Sequence, residues 1–293
     1  MTSRARRAIE GLDGWLFAPE PAGRVRCMRV LLAVVIGVRL ATGPHRGLAG
    51  QPAELFRPVW FLQWLGEMPP AAVLVAIQLI GLVGAVLAVA GWRERGTFLL
   101  AWTSLLVLAA LRASRGKVQH NDLPLLLVGG VIAAAPIGVR ALDRRRAAAW
   151  GWPVRTSLVV VAGVYFLSGL QKVVSSGPAW VLSDNLRNVM YAAPLSGRAP
   201  TDSVALFIAE RPWLAHLVAL ATLVVELGAV VVLLRPRVRP AYLAAISALH
   251  ASIYLTHGLD YSMWVATAAI VLVDWSAVLE RAVAGRRRSP AVA

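Results

Sequence analysis

Residues Tyr165–Pro194 read YFLSGLQKVVSSGPAWVLSDNLRNVMYAAP. The run begins inside an apolar helix, reaches a lysine at its end, crosses a Ser/Gly/Pro break and arrives at Trp180. Tyr165, Ser168 and Lys172 stand at i, i+3 and i+7, so they share one helical face. An otherwise apolar helix thereby carries one polar stripe that ends in an amine. An ionisable group in such a place is costly, which makes Lys172 a candidate functional group; the competing reading is a lysine reaching out to a membrane surface. Residue usage bears on the choice. Of 30 basic residues, all are arginine except Lys117 and Lys172. Arginine does not usefully lose its proton, whereas a desolvated lysine does, so a lysine kept beside a polar stripe suits a general base.

The rest of the chain sets that helix in a membrane. The 293 residues are 58% hydrophobic, with a mean hydropathy of +0.65, and they divide into apolar runs of spanning length. A formal charge of +15 invites a nucleic-acid reading. That reading is excluded because the arginines sit in short segments between apolar runs, not on one soluble face. Cys27 is the single cysteine, so neither an intrachain disulfide framework nor a cysteine-built metal site is expected. No secretory signal is expected in the first 25 residues, which lack a continuous apolar core.

The pattern predicts an all-α, polytopic transmembrane bundle. Eight spans are expected, at about 26–43, 71–91, 97–112, 122–138, 155–173, 213–234, 239–256 and 259–279. With the N-terminus inside, two thirds of the 30 basic residues fall on the inner side, so both termini are expected to be cytoplasmic. Three regions follow: a cytoplasmic amphipathic segment over 1–25, a transmembrane domain over 26–280 and a basic cytoplasmic tail over 281–293. In the first, residues 3–18 read as a short helix with Ile9, Leu12, Trp15 and Leu16 on one side and Arg4, Arg6 and Arg7 near its start, suited to an anionic leaflet; the competing reading is a disordered basic tail. The outer loop 44–70 carries Trp60, Phe61 and Trp64 as an interfacial belt, and the loop 174–212 is expected to hold one or two short surface helices. Lys117 reads as a loop charge.

Few polar residues lie near the spans. His120, in QHNDL, opens the fourth; Asn121 and Asp122 beside it also suit a helix cap. Lys172 ends the fifth. His250 lies in the outer half of the seventh, with Ser247 and Tyr254 on its face, and His257 closes that span. His120, Lys172, His250 and His257 therefore form an outer set of proton-handling candidates. Glu226 and Asp274 fall in the inner half, where Glu226 is expected to pair with Arg39 or a histidine. Trp180 reads either as an interface anchor or as a platform for a bound ring. There is no HExxH, HxxxH, phosphate-cradling glycine loop or GxSxG, and no metal is expected. No inverted repeat suggests a transporter.

The helix ending GLQK, a short spacer and Trp180 resemble the GxxK…W segment of the HTTM family, the transmembrane domain of vitamin K-dependent gamma-glutamyl carboxylases and of many bacterial proteins. QHNDL at His120 resembles the family's N–H pair at the opening of a span. LVVELGAVVVLL with Glu226, then LHASIYLTHGLDYSMW with His250, Gly258 and Tyr261, are similar to its later helices in the same order. The resemblance covers roughly residues 20–280 and implies a multi-pass, HTTM-only protein of a bacterial plasma membrane. It implies an enzyme using reduced vitamin K or menaquinol as cofactor, of the carboxylase-type lyase or epoxidase class, in which a lysine deprotonates the quinol and CO2 traps a glutamate carbanion. Carried over, Lys172 is the base, and His120 and His250 are the functional histidines. Tyr165, Ser168, Tyr254 and Trp180 are candidates to line the quinone, with Asn121, Glu226 and His257 supporting. Ser183 departs from the family glycine. No extracytoplasmic substrate-holding domain is expected, so peptide carboxylation does not follow. The alternative is a non-catalytic module that binds a quinone or membrane lipid, or assists a protein partner.

Overall fold

A computed structural model describes residues 3–50, 52–116, 120–137 and 143–288. Lys117 and the end of the basic tail lie outside the described residues. The chain is all-α apart from a two-residue antiparallel ladder. In order it forms α1 (Ser3–Leu16), β1 (Glu20–Pro21), α2 (Ala22–Thr42), α3 (Ala71–Ala90), α4 (Glu94–Ala113), α5 (Leu123–Ala134), β2 (Arg146–Ala147) and α6 (Ala148–Ser176). There follow α7 (Ala179–Leu182), α8 (Asn185–Ala192), α9 (Asp202–Ala209), α10 (Pro212–Leu227), α11 (Val231–Leu234), α12 (Arg239–His257), α13 (Ser262–Leu272) and α14 (Trp275–Arg288). Two compact units result: Met1–Ser157 with Asp274–Ala293, and Leu158–Val273.

Among the described residues, four helical stretches are long and apolar enough to cross a membrane: Ala71–Ala90, Glu94–Ala113, Ala148–Ser176 and Pro212–Leu234. A fifth counts if the bent pair Ser262–Leu272 and Trp275–Ala284 is one span. Their apolar side chains mostly face outward: Val86 on α3 is 67% exposed and Val224 on α10 is 62% exposed. A helix apolar all round that buries so little within its own protein belongs in an apolar solvent. The other expected spans depart for physical reasons. α2 is 21 residues long but carries Arg24, Arg26, Arg29 and Arg39. α5 has 12 residues, too few to cross. The last expected span is interrupted at Asp274, whose carboxylate accepts from the Ser276 hydroxyl at 2.6 Å and the Ala277 amide at 3.1 Å and so starts a new helix, α14.

In the first unit, α3 and α4 pack backbone to backbone. A Cβ on Gly84 would meet the Thr97 carbonyl oxygen at 2.9 Å, and one on Gly81 the Ser104 Cβ at 2.6 Å. The arginines of α2 point into this unit. The fully buried Arg29 reaches Glu94 at 3.0 Å and the carbonyls of Ile132, Ala135 and Pro136 at 3.2, 3.0 and 3.0 Å, satisfying the open end of α5. Arg39 and Arg112 share the Asp122 carboxylate at 2.6 and 3.2 Å. With Arg24 on Glu20 at 3.2 Å and Arg26 on Glu94 at 3.6 Å, each of the four cations of α2 has a carboxylate partner.

In the second unit, α8 and α9 pack through Met190, Ala205, Ile208 and Ala209. They are the short helices expected in the 174–212 loop. α12 ends at Gly258, whose φ of +64° closes the helix. A Cβ there would lie 2.0 Å from the Arg198 carbonyl oxygen, so glycine is required twice over.

Candidate functional site

The polar stripe of α6 is formed as the spacing predicts, and its partner is on α10. Lys172 Nζ donates to Glu226 Oε1 at 2.7 Å, to Oε2 at 2.8 Å and to Ser168 Oγ at 3.1 Å. Ser168 Oγ in turn donates to Glu226 Oε1 at 3.1 Å. An ammonium group has three hydrogens, and here each has an acceptor. The Glu226 side chain is 9% exposed and that of Lys172 20%. The amine also stands 5.3 Å from the centre of the Trp180 ring, within cation–π range.

Two expectations are corrected here. Glu226 pairs with Lys172, not with Arg39, which is taken by Asp122, nor with a histidine. Nor do the two groups lie at different depths: the last turns of α6 and of α10 meet side by side. Counting residues into each helix treats every helix as entering at one plane, which the hydrogen bonds between Lys172 and Glu226 do not require. The close approach depends on Gly169, where a Cβ would lie 2.9 Å from Glu226 Cβ and 3.1 Å from the Leu227 side chain. Gly169 stands in the GLQK run, and a glycine three residues before a lone lysine was the signal for that approach.

Lys172 and Glu226 line a cavity of about 480 Å3 with residues of α10 and α12, walled by Met190, Ile208, Val218, Val225, Leu249 and Ile253. Thr222, Ser252 and Thr256 also line it, but their hydroxyls donate to Val218, Leu249 and Ser252 carbonyls of their own helices, which leaves the walls apolar. Trp180 faces this cavity with its buried Nε1 unbonded. His257 lines it too, held by Thr256 Oγ1 at 2.6 Å from Nδ1.

The other candidates are elsewhere. Tyr165, one turn before Ser168, turns to His250: its hydroxyl lies 2.9 Å from Nε2. Tyr242 and Trp264 meet the Tyr165 ring edge-on at 6.1 and 5.3 Å between centroids, and Tyr261 stacks on His250 at 5.1 Å. His250 and Tyr254 line a second cavity on another face of α12, so the expected single pocket is two within this unit. Tyr242 and Trp264 join this cluster with no signal in the sequence to single them out, since an aromatic residue in an apolar helix stands out only once its neighbours are known. His120, exposed, and Asn121 belong to the first unit, just ahead of α5. Among the described residues no three His, Cys, Asp or Glu side chains converge to hold a metal ion.

Comparison with protein-family models, curated proteins and solved structures finds no match to this chain.

Proposed function

We propose that the second unit is a membrane-embedded site for a neutral, ring-bearing amphiphile of the reduced-quinone class. Its polar head lies at Lys172, Glu226 and Trp180, and its tail lies between α10 and α12. One observation carries this reading: an apolar cavity whose only ionised lining groups neutralise each other. A site that has already paired its cation with its carboxylate gains nothing from a charged ligand, and repels one that must break the pair. A neutral hydroxyl or carbonyl instead finds the unbonded Trp180 Nε1–H as donor and Glu226 as acceptor. These residues fit a reduced quinone, as the HTTM resemblance implies. When bound, such a group supplies acidic ring hydroxyls and reducing equivalents.

The chain's own proton chemistry follows from the pair. With all three Nζ hydrogens engaged, Lys172 has no lone pair to offer. Glu226 Oε2 accepts only from Lys172 and is the free basic position. A proton delivered to Oε2 leaves the Lys172 ammonium beside the ligand oxygen that lost it, so the ion pair is exchanged for another and net charge is unchanged. Glu226 is then the acceptor and Lys172 the electrostatic partner that makes the transfer affordable in a dry site.

The test is turnover of reduced menaquinone or vitamin K with oxygen in nanodiscs, read as quinone epoxide by mass spectrometry. Expected are epoxide from the wild type, loss in Glu226→Gln and Lys172→Ala, and partial activity in Lys172→Arg, which keeps the charge. Complete loss in Lys172→Arg with Glu226→Gln active would return the base role to Lys172. Quinol binding without turnover in any form would make the unit a binding module.

A further inference from the structure

Ser247, His250, Ala251 and Tyr254, on a face of α12 turned from the Lys172 cavity, line a second cavity of about 660 Å3, completed by Asp260, Ser262 and residues of α13. His250 is more than nine-tenths buried. Its Nε2 is bonded to the Tyr165 hydroxyl, on α6 and outside this cavity, so that edge of the ring is turned away. Its Nδ1, on the other side of the ring, is buried and bonded to nothing. The Tyr165 hydroxyl either donates to Nε2 or accepts from it; where it donates, the imidazole proton stands on Nδ1. A buried N–H donor without an acceptor is costly, and a ligand oxygen relieves that cost.

We infer that this cavity holds the glycerol-ester region of a membrane phospholipid, with an ester carbonyl accepting from His250 Nδ1. The lining changes polarity as a lipid does across its ester groups. Ala251, Val265 and Ala266 are apolar; Asp260 and Ser262 stand at the turn that ends α12. His250 lies seven residues, about 10 Å, before the helix end; the headgroup region of a bilayer is about 5–8 Å thick on each side, so a helix end at its outer edge sets His250 at or just below the ester groups. Tyr254, half-exposed at the rim, has the amphipathic character of an interfacial aromatic. Asp260, whose Oδ1 accepts from the Ser262 amide at 2.8 Å, stands at the polar end of the lining. The inference rests on the membrane embedding proposed above, and is independent of what the Lys172 cavity binds.

The test uses the full chain in nanodiscs of equal parts diester and diether phosphatidylcholine with the same chains. The lipid retained after release is identified by native mass spectrometry. The ether lipid has the same shape and headgroup but no carbonyl, so the wild type is expected to retain the diester form about fivefold over the diether, the effect of one hydrogen bond. His250→Phe is expected to lose that preference. Ala266→Leu, which fills the cavity and leaves the Tyr165–His250 bond alone, is expected to retain neither lipid. In 15N-histidine spectra the Nδ1–H signal of His250 shifts on moving from diether to diester bilayers. Equal retention of the two lipids by the wild type, or an Nδ1 signal indifferent to the ester, overturns the inference. Quinol binding measured on the same nanodiscs reports separately on the first cavity.

Discussion

Removing one partner of the Lys172–Glu226 pair should cost far more than removing both. In Lys172→Met, Glu226 keeps only the Ser168 hydroxyl as a donor, in a side chain that is 9% exposed. The carboxylate then either stays charged and unpaired or takes up a proton. A carboxyl that titrates near 4.3 in water costs about 4 kcal/mol to protonate at pH 7, and this sets a ceiling on the loss. Residual water around the pair brings the expected loss to about 3 kcal/mol, the low end for breaking a buried pair. For a unit of this size that is roughly a 10 °C fall in Tm. The ceiling drops by about 3 kcal/mol at pH 5, so most of the Lys172→Met deficit should vanish there. Lys172→Met/Glu226→Leu removes both charges and should lie within about 1 kcal/mol of the wild type, or above it. The assay is thermal unfolding in nanodiscs followed by tryptophan fluorescence at pH 7 and pH 5. A Lys172→Met variant as stable as wild type at pH 7, or a double variant that loses the sum of the single losses, would refute a buried pair at this position.

Gly169→Ala tests the contact between α6 and α10. Helix propensity alone would make alanine favourable by about 1 kcal/mol, but its Cβ meets Glu226 Cβ at 2.9 Å, and such overpacking costs about 1–3 kcal/mol. The expected result is little net change in Tm but weakened quinol binding, measured by titration; unchanged binding would show that the approach is not tight. In the first unit, burial, and after it the Arg112 and Arg39 guanidinium groups, lower the His45 imidazole to about 4. Its neutral form is therefore favoured by folding: the stability is present above the unfolded value near 6.5 and is lost as pH falls through 4, amounting to about 3 kcal/mol. His45→Gln should flatten the fall in Tm between pH 7 and pH 4, and an unchanged pH profile would exclude the assignment. Single cysteines introduced as Ser196→Cys and Arg237→Cys, with Cys27 replaced by serine, should label from outside and inside respectively in sealed cells; labelling of both from one side would overturn the proposed topology.

The apolar runs determined the helices, because a backbone in an apolar solvent has few other ways to bond its amides and carbonyls. The run from Ala71 to Ala90 and the polar stripe Ser168–Lys172 follow from composition and helical period alone. So does the choice of Lys172 as a candidate, since it is one of two lysines among 30 basic residues and stands on that stripe. What the sequence left open was which charge meets which. Arg39 and Lys172 were both available to Glu226, and the backbone approach at Gly169 assigns Lys172 while Asp122 claims Arg39. Helical period placed Ser247, His250 and Tyr254 on one face, but not which neighbour that face would meet; packing gives α13 to that face and α10 to another, and so divides one expected pocket into two. Partner choice is set by distance across helices that are far apart in sequence, and one-dimensional spacing carries no information about that distance.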